Sequence, residues 1–230
     1  MELADNQSRD ERSRQRWLVL LAVGVGTFMS ALDGSIVNTT LPLIRDAFAS
    51  NVATIEWVVT TYLLVVSGLL LSVGRLGDMR GHKRLYVIGF VIFVGGSAAC
   101  GFAPSASWLI GSRALQAIGA AMLAANAPAI LTKAFPASQR GQALGLQATM
   151  TYLGLTTGPA LGGWLAGWLG WRSVFYINVP VGAIALLLSL LFIPSDMNER
   201  NAESFDLSGA FLFLIALGTL AGATIHAVRH

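Results

Sequence analysis

The sequence predicts an all-α polytopic membrane protein, on three observations. Hydrophobic residues make up 54% of the 230 and charged residues only 12%, about half the charged share of a soluble domain, and the mean hydropathy is +0.64. Apolar runs recur at residues 17–32, 55–73, 85–103, 108–131, 143–169, 174–193 and 207–228, most of them near the ~20 residues that cross a bilayer as helix. The cations fall between the runs and favour alternate gaps. Seven transmembrane helices follow: a basic tail over residues 1–16, a six-helix bundle over 17–193, a loop over 194–206, and a seventh helix with a short outer end over 207–230.

The first run is interrupted by Asp33, but apolar residues resume beyond it, so the first span is expected over 17–40 with one buried carboxylate. A cleaved signal peptide would share the basic start, yet no small-x-small site follows cleanly and six further runs do. GRLGDMRGHKR, residues 74–84, joins the second and third spans and is too short for a domain. Gly74, Gly77 and Gly81 allow close backbone approach or positive φ there, while Asp78 suits a helix start or an arginine partner. The fourth span carries Arg113 inside it, and Pro128 and Pro136 are expected to bend or end it. In the fifth, Gly154, Gly158 and Gly162 form a stripe on one helix face that admits a close neighbour, and Pro159 should kink the helix. Asp196, Glu199, Arg200, Glu203 and Asp206 read as a solvated linker before the seventh span.

Cytoplasmic segments near the spans accumulate Lys and Arg. Arg9, Arg12, Arg14, Arg16, Arg75, Arg80, Lys83, Arg84, Lys133, Arg140 and Arg200 fall on one side, and only Arg45, Arg172 and Arg229 on the other. The amino terminus is therefore expected in the cytoplasm and His230 outside, with the protein in the cytoplasmic membrane. Trp17 at the inner boundary and Trp57, Trp108, Trp168 and Trp171 at outer boundaries fit an interfacial aromatic belt. The net charge of +3 is spread over short loops, which speaks against a nucleic-acid partner. Cys100, the single cysteine, leaves no intrachain disulfide and reads as a small packing residue. With no GxxxxGK[ST], HExxH or His-rich cluster, the sequence points away from ATP-driven transport, a metal site, a cofactor or an enzyme.

Asp33 lies about seven residues from the outer end of its span and Arg113 about six, so both sit roughly 10 Å deep at 1.5 Å per residue. An ionisable group there costs at least ~2.5 to 3.5 kcal/mol on insertion scales, so each needs a partner or a wet cavity. The pair can be a satisfied packing contact, or Asp33 can bind a proton or cationic substrate while Arg113 modulates it. Asn38, Thr39, Thr40, Gln116 and Asn126 can line a substrate cavity or make ordinary interhelical bonds. Since Asp33 and Arg113 fall on the first helix of each triplet, spans one to three and four to six suggest inverted repeats.

The loop at Gly74, Leu76, Asp78, Gly81 and Lys83 resembles the signature loop of the major facilitator superfamily, departing from it at Met79 and His82, where the family usually has arginine. LDGSIVNTTLP, with Asp33, Asn38, Leu41 and Pro42, resembles the first-helix motif of the fourteen-helix drug:proton antiporter branch. RALQAIGAA is similar to its fourth-helix motif, with Ala117 for a usual glycine, and GLTTGPALGG to its fifth-helix antiporter motif. WRSVFYINVPVG points to the fourteen-helix branch over the twelve-helix one. The resemblance implies the N-terminal half of a proton-coupled exporter of amphipathic drugs or antibiotics, with a nutrient or metabolite symporter as the alternative. It implies proton coupling at Asp33 and Arg113, and conformational gating at Gly74, Asp78, Arg80, Gly81, Lys83, Gly154, Gly158, Pro159 and Gly162. Protons, a small amphipathic molecule and the bilayer are then the partners. Because the chain ends just past one helix of an expected linker pair, it reads as a portion of a longer transporter lacking its C-terminal half, with homodimerisation as the other way to supply one.

Overall fold

A computed structural model describes residues 2–195, with side chains from residue 13 onward. The expected loop over 194–206 beyond Ser195, the seventh helix over 207–230 and the side chains of the first part of the basic tail lie outside the described residues. Seven helices are present among those described: α1 (Glu2–Ala47), α2 (Val52–Arg80), α3 (His82–Gly101), α4 (Ala106–Ala134), α5 (Arg140–Leu169), α6 (Ser173–Tyr176) and α7 (Asn178–Phe192).

The helices outrun the apolar cores read from sequence. α1 continues through Pro42 to Ala47, because Ile44 beyond the proline is fully buried in the bundle and its packing outweighs the one N–H that proline lacks. It stops where Ala49 takes a positive φ of 47° and the Asn51 side chain accepts from the Thr54 N–H at 2.8 Å to start α2, as an N-cap does. α4 likewise runs through Pro128 and ends before Pro136.

The segment read as an eleven-residue turn over 74–84 is almost wholly helical. α2 runs to Arg80, α3 starts at His82, and Gly81 alone breaks the helix with φ 94°, a value that only glycine adopts freely. The sixth span, read as one run, is divided at Ile177 into α6 and α7.

Among the described residues, five stretches are long and apolar enough to cross a membrane: Ser13–Ala47, Val52–Arg80, His82–Gly101, Ala106–Ala134 and Ser173–Phe192. α5 has the length, 30 residues, but its seven glycines and four threonines dilute its apolar character. Its glycine stripe explains why. A Cβ on Gly154 would come within 2.6 Å of the Phe28 carbonyl oxygen, and one on Gly158 within 2.6 Å of Ser35 Cβ. α5 therefore lies on α1 at backbone distance, where lipid offers no hydrophobic drive and close contact must hold the helices together.

Around this contact the bundle has a regular order. α1 packs on α5 and α7, α4 packs on α2 and α3, α3 meets α7, and α1 meets α4. Exchanging the first three spans for the second three (α1 for α4, α2 for α5, α3 for α6 with α7) maps these neighbours onto themselves, as two related three-helix units require. Three apolar cores result among the described residues, a small one on Val73, Leu85 and Met122 and two larger ones. One of the larger is built on Val19, Val23, Met29, Tyr86, Phe90 and Phe93, the other on Ile36, Val37, Ile44, Leu109, Val174 and Phe175. In α1, Asp33 falls between them.

Trp108 and Trp168 are exposed, but Trp171 is buried edge-on to Phe48 and Phe175. It is a core residue, correcting its assignment to the interface, because the turn at Gly170 (φ 82°) folds the chain back over the bundle end.

Candidate functional site

The gap between the two larger cores holds a polar cluster drawn from five helices. Arg113 on α4 donates from Nη1 to Asp33 Oδ2 on α1 at 2.6 Å and to Gln116 Oε1 at 2.6 Å. Residues three apart on a helix share a face, so Arg113 and Gln116 approach Asp33 together. Gln116 Nε2 donates to Asp33 Oδ1 at 2.9 Å and to Ser97 Oγ on α3 at 2.6 Å. Asn178, the first residue of α7, donates from Nδ2 to the same Oδ1 at 2.7 Å. Arg113 Nε donates to the Val58 carbonyl on α2 at 3.3 Å, and its guanidinium carbon stands 4.0 Å from the centre of the Tyr62 ring, a cation–π contact.

Asp33, Gln116 and Ser97 are wholly buried, and Arg113 and Asn178 are each 1% exposed. A carboxylate has four acceptor sites, and three donors occupy them here. The opposite charge beside it offsets the cost of removing either ion from water, which several kcal/mol per ion would otherwise impose. Close helix contact makes this possible: a Cβ on Gly96 of α3 would lie 2.7 Å from Gln116 Cα, so α3 comes near enough for Ser97 to reach the amide. Cys100, expected to be only a packing residue, donates to Gln116 Oε1 at 3.8 Å.

The depth match read from sequence thus becomes a direct ion pair between Asp33 and Arg113. The five residues expected along a cavity separate: Thr39 is exposed, and Thr40 is buried with its hydroxyl donating to the Val37 carbonyl at 3.0 Å. Gln116 is a member of the pair's own cluster, and Asn38 is exposed on α1. Asn126 faces the other end of the bundle, where its Oδ1 lies 2.9 Å from His82 Nδ1 and its Nδ2 donates to the Met122 carbonyl at 2.8 Å. The second ring nitrogen of His82 lies 3.3 Å from Asp78 Oδ1, so His82 is the partner of Asp78. Lys83 donates to the Leu190 carbonyl at 3.1 Å and also to the Ile193 carbonyl, closing the end of α7 as a basic residue closes a helix C-terminus. Gly81 supplies the break between α2 and α3, and Gly74 stands 4.0 Å from Ala125 by its added Cβ, an ordinary contact. Gly154, Gly158 and Gly162 line the α1–α5 contact, and Pro159 lies within α5 between them.

Asn178, Ser97 and Tyr62 were not singled out from the sequence. One signal could have found Asn178: it lies about four residues inside the sixth apolar run, near the depth worked out for Asp33 and Arg113, and an amide at that depth needs a partner. Ser97 and Tyr62 carry no such signal, since serine and tyrosine are common in apolar helices.

Among the described residues the apolar bundle holds one deep ion pair, fixed by amides from neighbouring helices. The chain matches the family model for the Major Facilitator Superfamily over residues 23–225 and belongs to that superfamily. It is 43% identical over 200 residues to a riboflavin transporter, RibZ, of Clostridioides difficile, covering 87% of this chain and 44% of that protein. It is 42% identical over 214 residues to the multidrug resistance protein Stp of Mycobacterium tuberculosis, covering 93% and 40%. With the tetracenomycin C resistance and export protein of Streptomyces glaucescens it shares 35% identity over 211 residues, covering 92% and 39%. The chain thus spans well under half the length of these relatives.

Proposed function

We propose that this chain supplies the proton-coupling half of an exporter of amphipathic drugs or antibiotics, of the fourteen-helix drug:proton antiporter branch. The observation that carries the reading is the ion pair of Asp33 and Arg113, buried and held by hydrogen bonds from Gln116 and Asn178. In such a pair the charges sum to zero. A proton delivered to Asp33 leaves Arg113 with a net positive charge in a dry site, and that imbalance favours another arrangement of the helices around it. Cargo binding and proton binding can then alternate at one place. Export names among the relatives support drug or antibiotic cargo.

The orientation proposed is amino terminus in the cytoplasm of a cell-membrane protein, on the excess of cations at the Gly74–Arg84 end. In a Cys100→Ala background, Arg80→Cys, at an exposed position, should react with an impermeant thiol reagent only after the cells are permeabilised, and labelling in intact cells would overturn the orientation. The gating role proposed for Gly74, Asp78, Arg80, Gly81 and Lys83 rests on their place around the break between α2 and α3, from which Lys83 reaches the end of α7. That for Gly154, Gly158, Pro159 and Gly162 rests on the α1–α5 contact.

A metabolite cargo is the second reading, favoured by the likeness to the riboflavin transporter. One experiment addresses both. Asp33→Asn in a full-length transporter carrying this segment should reduce gradient-driven dye or drug movement in proteoliposomes by at least about tenfold while the protein still inserts. Unchanged transport would remove Asp33 from proton coupling, and riboflavin movement without drug movement would select the second reading.

A further inference from the structure

Asp33 is surrounded by donors only. Its Oδ2 receives Arg113, and its Oδ1 receives the amides of Gln116 and Asn178. That environment suits a carboxylate. A carboxyl that has taken a proton carries an O–H of its own and needs an acceptor.

The three neighbours differ in what they can offer. Arg113 has no acceptor atom. Gln116 is committed at both ends: its oxygen holds Arg113 Nη1 at 2.6 Å and Cys100 Sγ at 3.8 Å, and its nitrogen also holds Ser97 Oγ at 2.6 Å. Turning that amide would bring its NH2 against the guanidinium, donor against donor. Asn178 makes its one side-chain hydrogen bond among the described residues through Nδ2, to Asp33. Rotating its amide by half a turn presents Oδ1 to the carboxyl without breaking any other bond in the cluster. The titratable side chains facing Asp33 are Arg113 from α4, Tyr62 from α2 and Cys100 from α3. Arg113, meanwhile, would keep Gln116, the Val58 carbonyl and the Tyr62 ring.

We propose that Asn178 is the residue that reads the protonation of Asp33, donating to the carboxylate and turning to accept from the carboxyl. It is a positioning residue, and it gives a role to the WRSVFYINVPVG segment, which the ion pair alone leaves unexplained. Asn178 follows directly on Ile177, where α6 gives way to α7. Rotation of its amide therefore acts at a break in the sixth span, and α7 packs on both α1 and α3.

The inference rests on the reading of Asp33 as the protonated group, and infrared difference spectroscopy separates the two. The 230-residue chain in lipid nanodiscs is cycled between acid and neutral buffer. Wild type should show a carboxyl C=O band that Asp33→Asn lacks, together with a side-chain amide band that Asn178→Ala lacks. In Asn178→Ala the carboxyl band should persist but move to higher frequency, because its acceptor is gone. Asn178→Ser, whose hydroxyl can both donate and accept, should bring it back towards the wild-type position. A carboxyl band unmoved in Asn178→Ala, with its amide partner still present, would overturn the role of Asn178 alone. Absence of any Asp33-dependent band in wild type would overturn both readings. Circular dichroism and gel filtration of each variant keep misfolding from passing as either result.

Discussion

Among the described residues two polar clusters are buried, about 20 Å apart along α4, and they are built in opposite senses. Around Asp33, one acceptor group is enclosed by three donors from two other helices. Around His82, one ring stands between two acceptors, Asp78 Oδ1 at 3.3 Å and Asn126 Oδ1 at 2.9 Å. The Asn126 amide is held in that orientation by its bond to Met122, so the ring faces an acceptor oxygen on each side. The clusters differ also in access to water. The ion pair of Asp33 and Arg113 is closed on all sides, whereas Asp78 has 71% of its side chain exposed and water can share its charge. Deep in the bundle every donor and acceptor must come from the protein, while at its edge solvent supplies part of the set. The inner cluster should accordingly be costly to alter and the outer one tolerant.

Replacement in the inner cluster should have the largest effect. Arg113→Leu leaves Asp33 charged and buried with two amides, and breaking a buried pair in this way costs about 3 to 5 kcal/mol. Detergent-unfolding curves should show that loss, and Asp33→Asn combined with Arg113→Leu should recover a substantial part of it. Equal losses in the single and double variants would mean that the pair is not the unit holding the site.

At the outer cluster, His82→Ala removes the partner of a fully buried Asn126 oxygen, a loss of about 1 to 3 kcal/mol. Thermal unfolding in the same detergent should place this variant between wild type and Arg113→Leu. If it proved as damaging as Arg113→Leu, the contrast between a closed and an open cluster would fail. His82→Arg, which puts the residue usual in the superfamily beside Asp78, should lie closer to wild type than His82→Ala.

The smallest effect is expected for Asp78→Asn. With most of its side chain in solvent, its ion pair is worth at most about 1 kcal/mol, so the unfolding midpoint should scarcely move. A transport defect without a stability defect would then assign Asp78 to the movement of the helices, and a large stability loss would show that its contact with His82 is not screened.

The comparison also marks which parts of the site could be read without coordinates. Asp33 and Arg113 were legible because a charge in an apolar run is costly and shows at once, and counting residues from the span ends gave both the same depth. Gln116 and Asn126 were legible as polar but not in their destinations, since nine residues and more separate them on one helix and only packing decides which neighbour each meets. His82 was noted as a departure from arginine, but its pairing with both Asp78 and Asn126 depends on Gly81 being the single break between α2 and α3. Asn178 was quoted in a motif without a role because its partner lies 145 residues away in α1.

By itself, the sequence determined that this chain is an all-α polytopic membrane protein, and that one carboxylate and one arginine share a depth inside it. These properties follow from local quantities: the length of an apolar run, the cost of a charge in hydrocarbon, the freedom of a glycine. Only the tertiary structure decided that α5 rests on α1 through Gly154, Gly158 and Gly162, that α3 comes close enough at Gly96 for Ser97 to reach Gln116, and that Asn178 closes the cluster around Asp33. Those contacts depend on which helix faces which and at what rotation. In lipid that choice is made by the fit of small residues and the pairing of a few polar groups across helices, and neither can be read from one helix alone.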